Sequence, residues 1–227
     1  MKQYLIIGGS KGVGEQIVKE LSSKGEFCHI ISRSQPAYEY NGNWHQVDAL
    51  KEELPPLEMI DGIVYCLGSI NLKPFNRLSL EDFNSDLSVN FFGALKAIQY
   101  YLPSLKKSEQ ASIVLFSTVA VQNGMPFHAS IAAAKGAVEG LVKSLAAEFA
   151  PKIRVNAIAP SLIDTTLASG ILRSDTIREN MVAKHPLKRI LNPVDVCKTT
   201  CFLLSDHSNG ITGQIIVQDN GLVSLSY

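Results

Sequence analysis

Short apolar runs alternate along this chain with segments whose apolar residues recur at helical spacing. Tyr4 to Ile7 is a run of the buried-strand kind, and glycines follow it directly. Val13, Ile17, Val18 and Leu21 then recur three and four apart until Gly25, a residue suited to end a helix. Phe27 to Ile31 predicts a second strand, and Ile60 to Leu67 another beyond the Pro55-Pro56 turn. Glu81 to Leu102 predicts a long helix that stops before Pro103, since proline has no N–H to give to a helix. Ser112 to Phe116 reads as a strand, Ala129 to Ala150 as a helix closed by Pro151, and Ile153 to Ala157 as a strand. Asn192-Pro193, in cap-then-first-position order, opens a helix reaching about Ser205, and Gln214 to Gln218 is the last strand. Between Val47 and Ile60 only Ala49 to Leu54 is left to make a helix. Strands alternating with helices, without two-residue hairpin signals, predict a parallel sheet covered on both faces.

Composition narrows the function classes. The chain has 227 residues, 46% of them hydrophobic, and 21 basic residues balance 21 acidic ones. A net charge of zero gives no long-range field for a polyanion or an anionic membrane surface. The apolar fraction is too high for disorder. No apolar run approaches the ~20 residues of a membrane span, and the N-terminal run is too short for a signal-peptide core. The four cysteines form no Cys-x-x-Cys pair and no zinc set, which suits small buried residues in a reducing cytoplasm. No repeat or linker interrupts the pattern, so residues 1–227 are expected to form one domain.

The first strand runs into Gly8-Gly9-Ser10-Lys11-Gly12-Val13-Gly14, and a helix begins at once. Glycines there let the chain turn sharply and bring backbone N–H groups and a helix N-terminus against a phosphate. A tight turn without a ligand would look similar, but the position after the first strand of an α/β chain favours a doubly wound, Rossmann-type dinucleotide site. Lys11 lies inside the loop, and Arg33 follows the second strand, where the adenosine ribose would rest. A carboxylate there would favour NAD; a cation suits the 2′-phosphate of NADP, so NADP(H) is expected over NAD. Two solvated surface cations are the alternative.

With these residues in view, the sequence resembles the short-chain dehydrogenase/reductase family along nearly its whole length. Gly8, Gly12 and Gly14 match the family's cofactor loop, in which Ser10, Lys11 and Val13 also lie, although Ile7 stands where threonine is usual. Asp48 is similar to the family's adenine-binding aspartate, and Gly68 is the glycine kept from its Asn-Ala-Gly stretch, here Cys66-Leu67-Gly68. Asn90 matches the helix-borne catalytic asparagine. Val155 to Thr165, with Asn156, Pro160, Ile163 and Thr165, resembles the segment at the nicotinamide end, with Ser161 in place of glycine. Arg189 to Gly221, with Ile211-Thr212-Gly213-Gln214 and Asp219-Asn220-Gly221, is similar to the C-terminal signature.

One residue of the implied catalytic set is missing. The family carries Tyr-x-x-x-Lys on one helix face, and here Lys135 is preceded four residues earlier by Ile131. The family's loop spacing puts Thr118 at its serine position. Asn90, Thr118 and Lys135 therefore remain as catalytic candidates, and the resemblance also gives Lys135 the hydroxyls of the nicotinamide ribose. A tyrosine beside an ammonium can protonate the alkoxide formed from a carbonyl. Isoleucine carries no such proton, and losing a positioned acid costs roughly 10²- to 10⁴-fold in rate. Ser130 is turned about 100° round the helix from Ile131. His128, in the loop before the helix, or a water held by Thr118 and Asn90, are the other donors to weigh. Two functions stay open at this point: an NADP(H)-dependent oxidoreductase of a carbonyl or secondary alcohol with an incomplete catalytic set, or a non-catalytic dinucleotide-binding protein acting as sensor, subunit or scaffold. The Ala- and Gly-rich helix from Ala129 to Ala150 suits a homo-dimer or tetramer interface, as the resemblance also implies. Leu167 to His185, which would shape a substrate pocket, carries no readable code.

Overall fold

The computed structural model describes residues 1–226. Seven parallel strands form one sheet in the order β3-β2-β1-β4-β5-β6-β7. They are β1 (Gln3–Ile7), β2 (Phe27–Ser32), β3 (Gly42–Gln46), β4 (Gly62–Tyr65), β5 (Ala111–Phe116), β6 (Ile153–Pro160) and β7 (Ile215–Gln218). The order reverses between β1 and β4, which opens a crevice at the carboxyl ends of those strands, the place where doubly wound sheets bind ligands. Strands β1, β4 and β5 are apolar because both faces are covered.

One face packs on α1 (Gly12–Ser23) and α7 (Pro193–Leu204), burying Ile6, Ile17, Val18, Ile30, Val64, Val114 and Leu203. The other packs on α3 (Gly93–Lys106) and α5 (Ala129–Phe149), burying Leu5, Ile63, Ile98, Tyr101, Ile113, Val138 and Val142. Shorter helices are α2 (Leu80–Leu87), α4 (Val119–Gln122) and α6 (Asp175–Lys184). The four cysteines are free, three of them buried, as small apolar residues would be. Among the described residues no helix is long and apolar enough to cross a membrane.

The structure departs from the pattern reading in five places. The long helix does not stop at Pro103 but runs through it to Lys106. Its last turn is anchored by tertiary contacts: Tyr101 donates to the Pro55 carbonyl at 2.7 Å, Ser104 to the Leu57 carbonyl at 2.5 Å, and Leu105 is fully buried. These outweigh the one helical bond the proline removes. The same stretch is not a single α-helix, because Ser88–Phe92 form a π-turn between α2 and α3. Ala49 to Leu54 makes turns rather than a helix. Finally β3, with its polar Asn43 and His45, is an edge strand that shows no apolar run, and the stretch from Leu167 to His185 contains α6.

Candidate active site

The glycine loop turns from β1 into α1 at the switch point. Gly12 sits at φ +63°, a left-handed conformation that side-chained residues rarely adopt. A Cβ on Gly14 would lie 2.3 Å from the Gly8 carbonyl oxygen, so the helix can close on the turn only with glycine there. The first turn of α1 thus presents bare backbone N–H groups, with Val13 beside them. Lys11, at the N-cap, is exposed and makes no side-chain cap bond, while the Ser10 hydroxyl lies 3.3 Å from that of Ser34. The Thr165 side chain is 3.9 Å from where a Cβ of Gly12 would stand, so the loop after β6 reaches over the glycine turn.

Arg33, Gln46, Val47, Asp48 and Glu52 line a cleft of about 210 Å³ at the ends of β2 and β3. Arg33 is exposed and makes no hydrogen bond or ion pair among the described residues. Asp48 accepts from the Leu50 N–H at 3.1 Å, which fixes its carboxylate in a turn. The two charges expected to flank an adenosine therefore share one cleft.

On the other side of the switch point, Gly68 lies against Asn90, whose Oδ1 would be 3.3 Å from a Cβ at that glycine. Asn90 is 1% exposed and its side chain is fully engaged. It accepts from the Ser69 N–H at 3.4 Å and donates to Ser69 Oγ and the Asp86 carbonyl, both at 2.9 Å. Its visible work is to hold the Gly68-Ser69 segment in place.

Lys135 is buried on α5, and its Nζ donates to the Phe116 carbonyl at 2.8 Å. Burial pushes its ammonium down from 10.5 to about 8, against the pull of Asp86. Burial pushes the Cys66 thiol well above its usual range, so that residue is uncharged at neutral pH. Thr118 caps α4, its Oγ1 accepting from the Ala120 N–H at 3.3 Å, so its own hydroxyl proton is not used in that bond. Ile131 is buried one turn before Lys135 on the same helix. Ser130 is fully buried and its hydroxyl finds no partner among the described residues. The His128 ring engages the Pro126 carbonyl through Nδ1 at 2.7 Å.

Pro160 ends β6, and Ile163 pairs with Leu191 in an isolated bridge. Ser161 Oγ lies 3.1 Å from His185 Nε2, while His185 Nδ1 lies 2.7 Å from the Met181 carbonyl. A nitrogen facing a carbonyl must carry a proton, so Nδ1 donates to the Met181 carbonyl. This clasp, with the two-bond Arg178–Asp164 pair at 2.7 and 3.1 Å, ties α6 to the end of β6. Sequence reasoning missed Asp86, Ser69 and His185, because none of them stands in a motif.

The fold and this crevice define a dinucleotide-binding α/β protein, and comparison with known proteins gives the family. A family model described as enoyl-(acyl carrier protein) reductase matches residues 43–223. A tropinone reductase homolog of Arabidopsis thaliana is 32% identical, over 97% of this chain and 91% of that protein. The oxidoreductase UcpA of Salmonella typhimurium is 30% identical, over 97% and 94%. Among solved structures, a short-chain dehydrogenase family protein of Francisella tularensis superposes with a TM-score of 0.88 at 27% identity, covering 99% of this chain and all of the other. ElxO with NADP bound superposes with a TM-score of 0.87 at 28% identity, with the same coverage. The chain belongs to the short-chain dehydrogenase/reductase family.

Proposed function

We propose that this protein is an NADP(H)-dependent oxidoreductase of a carbonyl or secondary alcohol, working with an incomplete catalytic set and therefore slowly. The observation that carries this reading is Lys135: a buried ammonium, one donor on the Phe116 carbonyl and two more to give, one helical turn from the place where the family carries its tyrosine. The residues present fit the cofactor. Gly8, Ser10, Lys11, Gly12, Val13 and Gly14 cradle the pyrophosphate, and Gly14 admits no Cβ. Arg33 takes the 2′-phosphate, Asp48 the adenine, Gly68 and Lys135 the nicotinamide ribose side, and Pro160, Ile163 and Thr165 the nicotinamide end. When bound, a reduced nicotinamide supplies the hydride that a carbonyl carbon accepts. Thr118 donates its hydroxyl proton to the substrate oxygen as a hydrogen bond, and Asn90 keeps the Gly68-Ser69 wall fixed. That ElxO is found with NADP, and a tyrosine-to-phenylalanine variant of it with NADPH, supports the choice of cofactor. We also place the protein in the cytoplasm as a homo-dimer or tetramer.

Titration of NADPH and NADH by fluorescence tests the cofactor. NADPH is expected to bind more tightly, and Arg33→Ala to remove roughly tenfold of that preference, since a charge-assisted contact contributes about 1.5–3 kcal/mol. Equal affinities in the wild type would overturn the assignment. A second reading, a dinucleotide-binding protein without turnover, is favoured by Ile131 itself, which is 5% exposed and has no proton to give. NADPH oxidation with a panel of ketones and aldehydes separates the two readings, because slow turnover belongs to the first and none to the second.

A further inference from the structure

The wall of the crevice that carries Asn90 also carries a buried acid. Asp86 is 0% exposed and stands one turn before Asn90, on the segment where α2 passes into the π-turn. Its Oδ1 accepts from the Ser69 hydroxyl at 2.6 Å, and Ser69 Oγ in turn accepts from Asn90 Nδ2 at 2.9 Å. Its Oδ2 is buried without a hydrogen-bond partner among the described residues. A buried carboxylate oxygen left in that state is strongly disfavoured unless a positive charge lies near it. The buried cation on the facing helix is Lys135, on α5, which packs along α2; the two groups share no hydrogen bond or ion pair among the described residues, and Asp86 acts on the ammonium through space.

We propose that Asp86 is a positioning residue for this site: held by Ser69, its carboxylate pairs electrostatically with Lys135, so that the lysine ammonium itself is the proton donor where the tyrosine is absent. The consequence for turnover rests on the oxidoreductase reading above; the pairing of Asp86 with Lys135 does not. In the reducing direction the substrate oxygen, having taken the carbonyl electron pair, removes one proton from Lys135 Nζ and leaves a neutral amine. That amine regains its proton from solvent. One solvent proton is consumed per carbonyl reduced.

The other charged groups near Lys135 are accounted for. Cys66, at the end of β4, stays a neutral thiol because burial raises it. Glu139, one turn further along α5, is held by the Ser117 hydroxyl at 2.6 Å. On α2, Glu81 and Asp82 lie in the first turn, Glu81 exposed and Asp82 paired with Lys73. Arg154 of β6 is spent on the Leu203 and Ser205 carbonyls and on Ser208. The π-turn, α4 and β5 bring no titratable side chain. Asp86 is the counter-charge that remains.

The test is a pH titration by NMR of the full chain, labelled at lysine Nζ and aspartate Cγ, with the Lys135 signal assigned from Lys135→Arg. Asp86→Asn keeps the shape of the side chain and is expected to lower the Lys135 midpoint by about one pH unit, a tenfold change in its protonation constant. Glu81→Gln, which removes an exposed carboxylate from the same helix, is expected to leave the midpoint in place. An unmoved Lys135 midpoint in folded Asp86→Asn overturns the proposal. Should that variant not fold, the wild type still decides. Its Asp86 carboxyl signal is expected to step at the Lys135 midpoint, and a flat signal there overturns the pairing. In turnover, the alkaline limb of kcat/KM is expected to follow the Lys135 midpoint and to move with it in Asp86→Asn. If the midpoint moves while no protein turns over a substrate, the pairing stands and the oxidoreductase reading fails. If the wild type is active and its pH profile ignores Asp86, the reading stands and the proposal fails.

Discussion

At the scale of single residues, the site turns on Ile131 and Lys135. Replacing Ile131 by tyrosine restores a phenol one turn from a buried ammonium, the arrangement that lowers a phenol's pKa. Ile131→Tyr is expected to raise kcat/KM for carbonyl reduction by about 10²- to 10⁴-fold, measured as NADPH oxidation beside the wild type. Lys135 also leaves a mark on stability. Burial holds its folded midpoint at about 8, below its usual 10.5, so between those values the unfolded chain binds more protons than the folded one. Stability due to this group therefore rises as pH rises from about 8 to about 10. Lys135→Met removes the effect. The difference in unfolding free energy between wild type and variant is expected to shift in favour of the wild type by roughly 2–3 kcal/mol across that window, read from urea titrations. Lys135, Thr118 and the loop glycines are legible in the sequence because each stands in a spaced pattern. Asp86, Ser69 and His185 are not. Their significance lies in which buried partner each one meets, and a lone aspartate between Ser85 and Leu87 signals nothing until α2 is laid against α5.

At the scale of elements, local chemistry and tertiary contact divide the work unevenly. α7 begins where Asn192-Pro193 predicts, because a capping box closes there. Asn192 accepts from the Asp195 N–H at 2.9 Å, and Asp195 accepts from the Asn192 N–H at 3.0 Å. Asn192→Ala is expected to cost about 1 kcal/mol of unfolding free energy, read from urea titrations. A larger loss would mean that the Arg189–Asp195 pair beside it, at 2.9 Å, couples to the cap. α3 behaves in the opposite way, passing through Pro103 because Tyr101, Ser104 and Leu105 bind it to the loop and core beyond. The π-turn before it is likewise invisible to periodicity. Yet that turn, opening two residues after Asp86, sets Asn90 against Ser69 and so shapes one wall of the site. π-turns of this kind often mark functional positions.

At the scale of the molecule, the charge balance acquires a local meaning. A chain with no net charge places Lys11 and Arg33 at the rim of the crevice and buries Lys135 within it. Attraction for an anionic cofactor is then short-ranged, and NADPH affinity is expected to fall only modestly between low and physiological salt. Mass in solution, by light scattering on an eluting peak, is expected to be two or four times the 24.7 kDa chain, and a monomer would remove the homo-oligomer from the proposal. The sequence by itself determined the alternation of strands and helices, the glycine turn and the spacing that sets Ile131 four residues before Lys135. These are properties of residue spacing, and spacing survives in one dimension. Only the tertiary structure decided the strand order, the path of α3 through its proline and the meeting of Asp86, Ser69 and Asn90 beside Lys135. Those follow from which side chains share a buried volume, and burial, which sets both packing and the charge of Lys135, exists only once the chain has closed on itself.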